Sequence, residues 1–555
     1  MGTAIFPLLL IDRKGSVMVR VLSALVAVGL LLVAALPVGA QSPPTYTPTL
    51  LKAAAPLPGS NGVAFDDQDV LWVGSAGGAI SKVDKETGEV LQVFGPGPEW
   101  GADDMVFGPD GALYHTAILN GTVGRLDPDG THANLNSTPL PGVNPIAFSD
   151  DGRLFVGLLL MGDALYEFDA QSLEEPRLIA EGLGLNGFDW LDGYLYAPRY
   201  MEGEVVRIDV DSGETTVVAS GFGQPNSVDV GPDGMLYVND NGGGQIVKVD
   251  PDTGDKTLVA EIGGDNMDFD ASGRLFLSSN DSGRLVEIMT DGSVREVSPP
   301  GLVASPTGIT AMTADDGTTT VYIPDIFRLH AVDGRTGAEL TPAGGLEAAA
   351  MTAAASGTNV VLSSWFAGAL QVWDPDTGEV VADLAPSLTG PALDAVGFGD
   401  RVVVSELGAE GPAVVAIDPA SGERTRLAPM AMPSGLATDG VDLWAADWAV
   451  GTVSQVIDDR ATIEPVPIAS GLAQPEGLAV APDGSLLVAE TGAGRISRIE
   501  PATGTVTPLV EGLDFGMPAS ALLPPVNTLA GVAVDDAGSL YIATVEGVFR
   551  YDPEA

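Results

Sequence analysis

Short runs of alternating apolar and polar residues recur along the whole chain, separated by turns rich in Gly and Asp. The stretch 224–240, QPNSVDVGPDGMLYVND, shows the unit. Asn226 stands before Val228 and Val230, a Pro-Asp-Gly turn follows, and a second apolar run ends at Asn239-Asp240. Period-two alternation over such lengths predicts β-strands, and the Asp-Gly turns supply the positive φ that tight hairpins need. Two more strands complete the unit, QIVKVD at 245–250 and KTLVA at 256–260, joined by an Asp-x-x-Thr-Gly turn.

That last turn, in the form [D/E]-x-x-[T/S]-G, ends at Gly88, Gly213, Gly254, Gly337, Gly378, Gly422 and Gly504. The spacings are close to multiples of about 41 residues, the period of a four-stranded propeller blade. Twelve units can be traced, beginning near Ser60, Glu99, Gly142, Gly184, Gln224, Gly264, Pro306, Glu347, Leu393, Pro433, Pro475 and Leu529. GLEAAAMTAAASG at 345–357 also reads as a helix, but its place in the repeat favours a strand after a long loop.

The fold class is therefore all-β, with two consecutive six-bladed β-propellers. A split of five and seven blades stays open. The first ring is assigned to 49–290 and the second to 291–555. The last unit lacks a fourth strand, while TLLKAAAPL at 49–57 is a spare one. The expected closure joins 49–57 to the sixth unit and gives GSVREVS, 292–298, to the twelfth, so that neither ring keeps an open edge.

Composition sharpens this picture. The 555 residues include 71 Gly and 41 Pro and no Cys, so disulfides, thiolate metal sites and cysteine nucleophiles are excluded. The formal charge of −50 argues against nucleic acid and anionic membrane as partners. Arg20 followed by an apolar run to Val38-Gly39-Ala40 reads as a secretory signal peptide over 1–40, with Met18 as a candidate later start. A retained membrane anchor is the rival reading. Residues 41–48 form a linker. The expected location is secreted or periplasmic.

In a propeller, strand A is innermost, so its first residue faces the central channel. In the first ring that position holds Asn61, Asp103, Asn144, Asn186, Asn226 and Asp265. The matching residues of the second ring read as Thr307, Glu347, Asp394, Ser434, Glu476 and Ala530. The ends of strand B add His115, Arg199, Asn239, Asp240, Asn280 and Asp281 in the first ring and Asp325, Glu406, Asp447, Glu490 and Glu546 in the second. Asn and Asp also cap turns. Six of six in one ring points further, to oxygen ligands converging on a hard cation such as calcium. Trp100, Tyr200, Trp365, Phe366 and Trp448 are aromatics near the polar faces, suited to stacking on a sugar ring or apolar ligand.

LNGFDWLDGYLY (185–196) and PEGLAVAPDGSLLVAETGAGRI (475–496) resemble the senescence-marker-protein/gluconolactonase/luciferin-regenerating-enzyme family and the NHL-repeat propellers. That resemblance implies an axial divalent cation held by a Glu, two Asn and an Asp. Asn144 and Asn186 match the two Asn positions, whereas Asn61 replaces the Glu and Asn226 the Asp. Asp103 and Asp265 lie on other blades and join Asn144 and Asn186 as the metal candidates. Asn61, Asn226, Asp240, Glu476 and Asp394 are the ligand-binding candidates. The resemblance makes a calcium-dependent lactonase-like hydrolase one alternative, with Asp103 as a catalytic candidate. NGTVGRLDPDG (120–130) is similar to the streptogramin lyase type of propeller, whose chemistry needs a His base, and His115 is the candidate for it.

No phosphate loop, nucleophile elbow, His-Glu-x-x-His or EF-hand sequence occurs, so no nucleotide or redox cofactor is indicated. The leading expectation is an exported double propeller that binds a small ligand, carbohydrate-like or other, or a divalent cation at the channel mouth. A non-catalytic scaffold for a protein partner is the other alternative.

Overall fold

The computed structural model describes residues 46–75, 78–95, 101–159, 162–171, 175–325, 328–341, 349–516 and 531–554. The leader, Glu99, Trp100, Glu347, Leu529 and Ala530 lie outside the described residues. Twelve four-stranded antiparallel sheets contain all the named strands, and among the described residues the only helices are two single 3-10 turns. No described helix is long and apolar enough to cross a membrane.

Blades 1–6 begin with strands A at Ser60–Phe65, Asp104–Phe107, Val143–Phe148, Asp189–Leu191, Pro225–Val230 and Met267–Phe269. Blades 7–12 begin with Thr310–Thr313, Thr352–Ser356, Ala392–Phe398, Pro433–Thr438, Pro475–Val480 and Val532–Val534. The strand at Thr352–Ser356 settles the helix-or-strand ambiguity of 345–357 for its described part, 349–357. Turn chemistry sets the repeat. The seven glycines of the [D/E]-x-x-[T/S]-G turns all have φ between 69 and 75°. The Asp that opens such a turn receives backbone N–H groups, as Asp250 does from Asp252 at 2.9 Å and Thr253 at 3.0 Å. Much of the chain's acidity is thus turn chemistry.

Packing between blades closes two rings of six. Phe276, Leu285 and Val297 of blade 6 pack on Val63, Leu71 and Val73 of blade 1. Val321, Ile323 and Val332 of blade 7 pack on Ala533, Tyr541 and Ala543 of blade 12. The split of five and seven is thereby excluded.

The closing strands are exchanged relative to the expectation. Val294–Ser298 pairs with Arg284–Ile288 and remains in blade 6. Tyr46–Ala53 pairs antiparallel with Gly547–Pro553, from Tyr46↔Pro553 to Ala53↔Gly547, and completes blade 12. The reason is proximity along the chain. Gly292, at φ 81°, turns the sixth blade directly into its own fourth strand, and a short loop costs little entropy to close. In blade 12 the N-terminal strand Tyr46–Ala53 supplies the edge and places Leu51 in the core between blades 12 and 7.

Candidate functional site

In several blades strand A enters with the same hydrogen bond, its head N–H given to a strand B carbonyl. Asp103 donates to Thr116 (2.8 Å), Asn186 to Pro198 (3.2 Å) and Asp265 to Ser278 (2.9 Å). The heads of all six first-ring strands, Asn61, Asp103, Asn144, Asn186, Asn226 and Asp265, line one cavity of about 380 Å³. Asn61, Asp103, Asn144 and Asn186 are buried, and Asn226 and Asp265 are partly exposed.

A network fixes half of this ring. Asn266 Nδ2 donates to Asn61 Oδ1 (2.9 Å) and to the Asp103 carbonyl (2.8 Å). Asn61 Nδ2 donates in turn to Asp103 Oδ1 (2.7 Å). Blades 6, 1 and 2 are linked in that order, which only a closed ring permits. Asn226 Nδ2 donates to Asp265 Oδ1 and to the Gly264 carbonyl, both at 3.3 Å. Asn226 Oδ1 and Asp265 Oδ2 are buried without a hydrogen-bond partner in the described structure.

The electrostatics follow from geometry. Burial pushes the Asp103 carboxyl well above its ordinary range, and the neighbouring Asp265 and Asp104 add to this. Burial likewise pushes Asp265 up to about 7, against the opposing hydrogen bond from Asn226. Further along the innermost strands, Asp104, Asp189, Asp229 and Asp268 line a second cavity of about 220 Å³. Burial raises all four, Asp104 and Asp268 to about 7. Three of them brace the next blade. Asp104 accepts the Ile146 N–H (3.1 Å), Asp189 that of Val230 (2.9 Å) and Asp268 that of Phe65 (3.0 Å). Among the described residues neither cavity has a Lys, Arg or His in its lining.

Several expected residues stand elsewhere. His115 is fully buried inside blade 2, not on the polar face. Its Nδ1 is 3.0 Å from the Gly101 carbonyl and its Nε2 3.0 Å from His132 Nε2. Burial, reinforced by His132, pushes it down to about 3. Only a glycine at 124 leaves room, since a Cβ there would lie 2.1 Å from the His115 ring. His115 therefore holds no position from which to take a proton at the mouth.

Asp240 is also buried away from the cavity. It accepts the N–H groups of Gly223 (2.8 Å) and Gln224 (2.9 Å), latching the end of strand B to the loop ahead of strand A. The second ring repeats the latch. Asp325 takes the N–H of Ala304 and Ser305, Glu406 those of Thr389 and Gly390, Asp447 those of Ala431 and Met432, and Glu490 that of Ala473. Arg424 and Arg495 pair with Glu406 and Glu490, and these partners with the hydrogen bonds outweigh burial and hold both carboxyls low. The strand B carboxylates are structural because the loop offers bare N–H groups within reach.

In the second ring the register of two heads corrects the sequence reading. Met351 donates its N–H to the Ser363 carbonyl (2.8 Å), as Thr307 does to Pro324 (2.8 Å), so Met351 heads blade 8 rather than Glu347. Leu393 fills the bulge between Ala392↔Glu406 and Asp394↔Ser405, the place Asn226 takes in blade 5. Asp394, one residue on, turns to the next blade and accepts the Leu436 N–H (2.8 Å). A slip of one residue in a strand exchanges its faces. Glu476 does head its strand, but it is fully buried and takes the Thr491 hydroxyl (3.3 Å).

Met351 and Leu393 are not idle. With Trp365 and Phe366 they pack on Ile118 and Leu119 of the first ring. Phe366, on the turn between strands B and C of blade 8, also forms a wall of the first-ring cavity. Arg328 of blade 7 reaches Asp281 of blade 6 at 2.8 Å. Tyr200 lines the cavity too, whereas Trp448 does not. Sequence reasoning missed Asn266, although it directly follows Asp265 and its amide is the hub of the network. Among the described residues no group of three or more His, Asp or Glu converges as a metal site.

No family model matches the chain, and no curated protein matches it. Among solved structures, a streptogramin B lyase is 18% identical over 50% of this chain and 94% of its own, with TM-score 0.36. Virginiamycin B lyase from Staphylococcus aureus is 16% identical over 50% of this chain and 95% of its own, with TM-score 0.36. PorZ, a surface component of the type-IX secretion system of Porphyromonas gingivalis, is 12% identical over 91% of this chain and 87% of its own, with TM-score 0.37. These likenesses are too distant to carry a role for any residue here.

Proposed function

We propose that the protein is an exported double propeller whose first ring binds a small ligand or a divalent cation at its channel mouth. The observation that supports this most is the cavity itself, where six Asn and Asp heads meet without a basic residue. Buried carboxylates with no compensating charge favour a guest that brings one. The likeness to the gluconolactonase-type family belongs to this reading. Asn144, Asn186, Asp103 and Asp265 would hold a calcium ion, which suits their oxygen donors and would neutralise the two carboxylates. The unpartnered Asn226 Oδ1 and Asp265 Oδ2 fit such a group.

Calcium titration by calorimetry tests the cation. Binding should be present in the wild type and weakened at least tenfold in an Asn144→Ala/Asn186→Ala variant; equal affinity in both would remove these residues from the site. Export rests on the N-terminal pattern, and N-terminal sequencing of protein recovered outside the cytoplasm should begin at Gln41.

A further inference from the structure

We infer that the guest of the first-ring cavity is an organic ammonium ion, held by Asp103, Asp265 and Asn226 and walled by Phe366 of the second ring. This rests on reading the mouth as a binding site and names the class of what enters it.

Three observations lead there. The first is the direction of the missing hydrogen bonds. Asn226 Nδ2 faces two acceptors, Asp265 Oδ1 and the Gly264 carbonyl, so its amide cannot be turned over. What remains unpartnered beside it is an acceptor, and so is Asp265 Oδ2. A guest that completes these atoms brings N–H or O–H donors or a metal cation, and an anion is excluded. The second is charge. Asp103 and Asp265 stand together with no Lys, Arg or His among the described residues of the lining. A neutral polyol would supply donors but no charge, whereas an ammonium supplies donors and a positive charge beside the carboxyl pair.

The third is size and texture. About 380 Å³ is far more than a bare ion fills, and Tyr200, Phe366, Ile118, Leu119 and Leu159 give it aromatic and aliphatic walls. Asp103 Oδ1 and Asn61 are already engaged with each other. Carboxylates facing an aromatic wall match an ammonium on an apolar or ring-shaped body, which gains ion pairing and cation–π attraction together. Because Phe366 comes from the second ring and packs on Ile118 and Leu119, the site is complete only when both rings are present.

The test uses benzylamine, with benzyl alcohol as its neutral counterpart and calcium as a separate titrant, on the full protein at fixed salt. Benzylamine should bind at least tenfold more tightly than benzyl alcohol. Asp265→Asn and Phe366→Ala should each weaken it about tenfold, Asp265→Asn while keeping the wild-type melting temperature or raising it. Calcium binding without preference for the amine would overturn the inference and leave the binding reading in place. Failure of both titrants would overturn both. Amine binding indifferent to Asp265→Asn and Phe366→Ala would mark attraction to the acidic surface alone and would equally overturn the inference.

Discussion

The two rings share one strand plan and use the head of strand A in opposite ways. In the first ring all six heads are Asn or Asp, and they face a cavity. In the second the described heads are Thr307, Met351, Leu393, Ser434 and Glu476, and two of these are apolar. Met351 and Leu393 take up the Ile118-Leu119 loop of the first ring. One mouth keeps a polar-lined cavity while the other serves partly as a socket for its neighbour. A backbone position that carries polar groups in one repeat offers packing surface in the next, and the side chain alone decides which.

The buried carboxylates extend the contrast. Asp103, Asp104, Asp189, Asp229, Asp265 and Asp268 surround the first axis with raised proton affinity. In the second ring Asp394, pushed up to about 6 by burial, is the described carboxylate of this kind. The strand B carboxylates of the second ring are instead satisfied by backbone N–H groups, and Glu406 and Glu490 also by arginines, which hold those two low.

The strongest way to break the comparison is to remove the strand on which the second ring alone depends. Deleting residues 46–53 should abolish cooperative unfolding of the second ring in calorimetry while the first ring, closed by its own Val294–Ser298, keeps a transition. Next, Leu393→Asp gives the second mouth the chemistry of the first. A carboxylate placed without a partner in the Met351-Phe366 cluster should cost about 3 kcal/mol or more by denaturant unfolding.

Asp229→Asn works the other way. No hydrogen bond satisfies Asp229, and burial and its neighbours Asp189, Asp268 and Asp104 raise its proton affinity. A carboxyl raised in the folded state holds its proton there after the unfolded chain has released it. Stability is therefore lost as pH rises from about 4 toward neutrality. Asn should remove that loss, so the variant should exceed the wild type in unfolding free energy by a margin that widens with pH across this range. The smallest effect is expected from Arg328→Ala. Its pair with Asp281 across the rings is largely exposed, and it should change stability by less than about 1 kcal/mol, with the difference shrinking in high salt.

The blades were legible in the sequence because strand alternation and turn glycines act over a few residues. Val228, Val230 and the Asp-Gly turn specify a hairpin wherever they occur. The ring of Asn and Asp heads was legible for the same reason, since a fixed distance from each apolar run places them. Leu393 was misplaced by one residue because strand alternation alone does not mark where a bulge enters, and Met351 by four because the small residues of 348–355 do not mark where the strand begins. Asp240 and His115 were misread because the groups that satisfy them, a loop N–H and a second histidine, are distant in sequence.

The sequence by itself determined the twelve hairpin-built sheets, their period and the polar heads of the first ring, since these depend on local backbone preference and side-chain alternation. Tertiary structure alone decided which strand closes which ring, that Asp103 and Asp265 come together across Asn61, and that Phe366 of one ring walls the cavity of the other. Each of those rests on a contact between residues far apart along the chain, where loop closure, burial and charge compete, and no local pattern records the outcome.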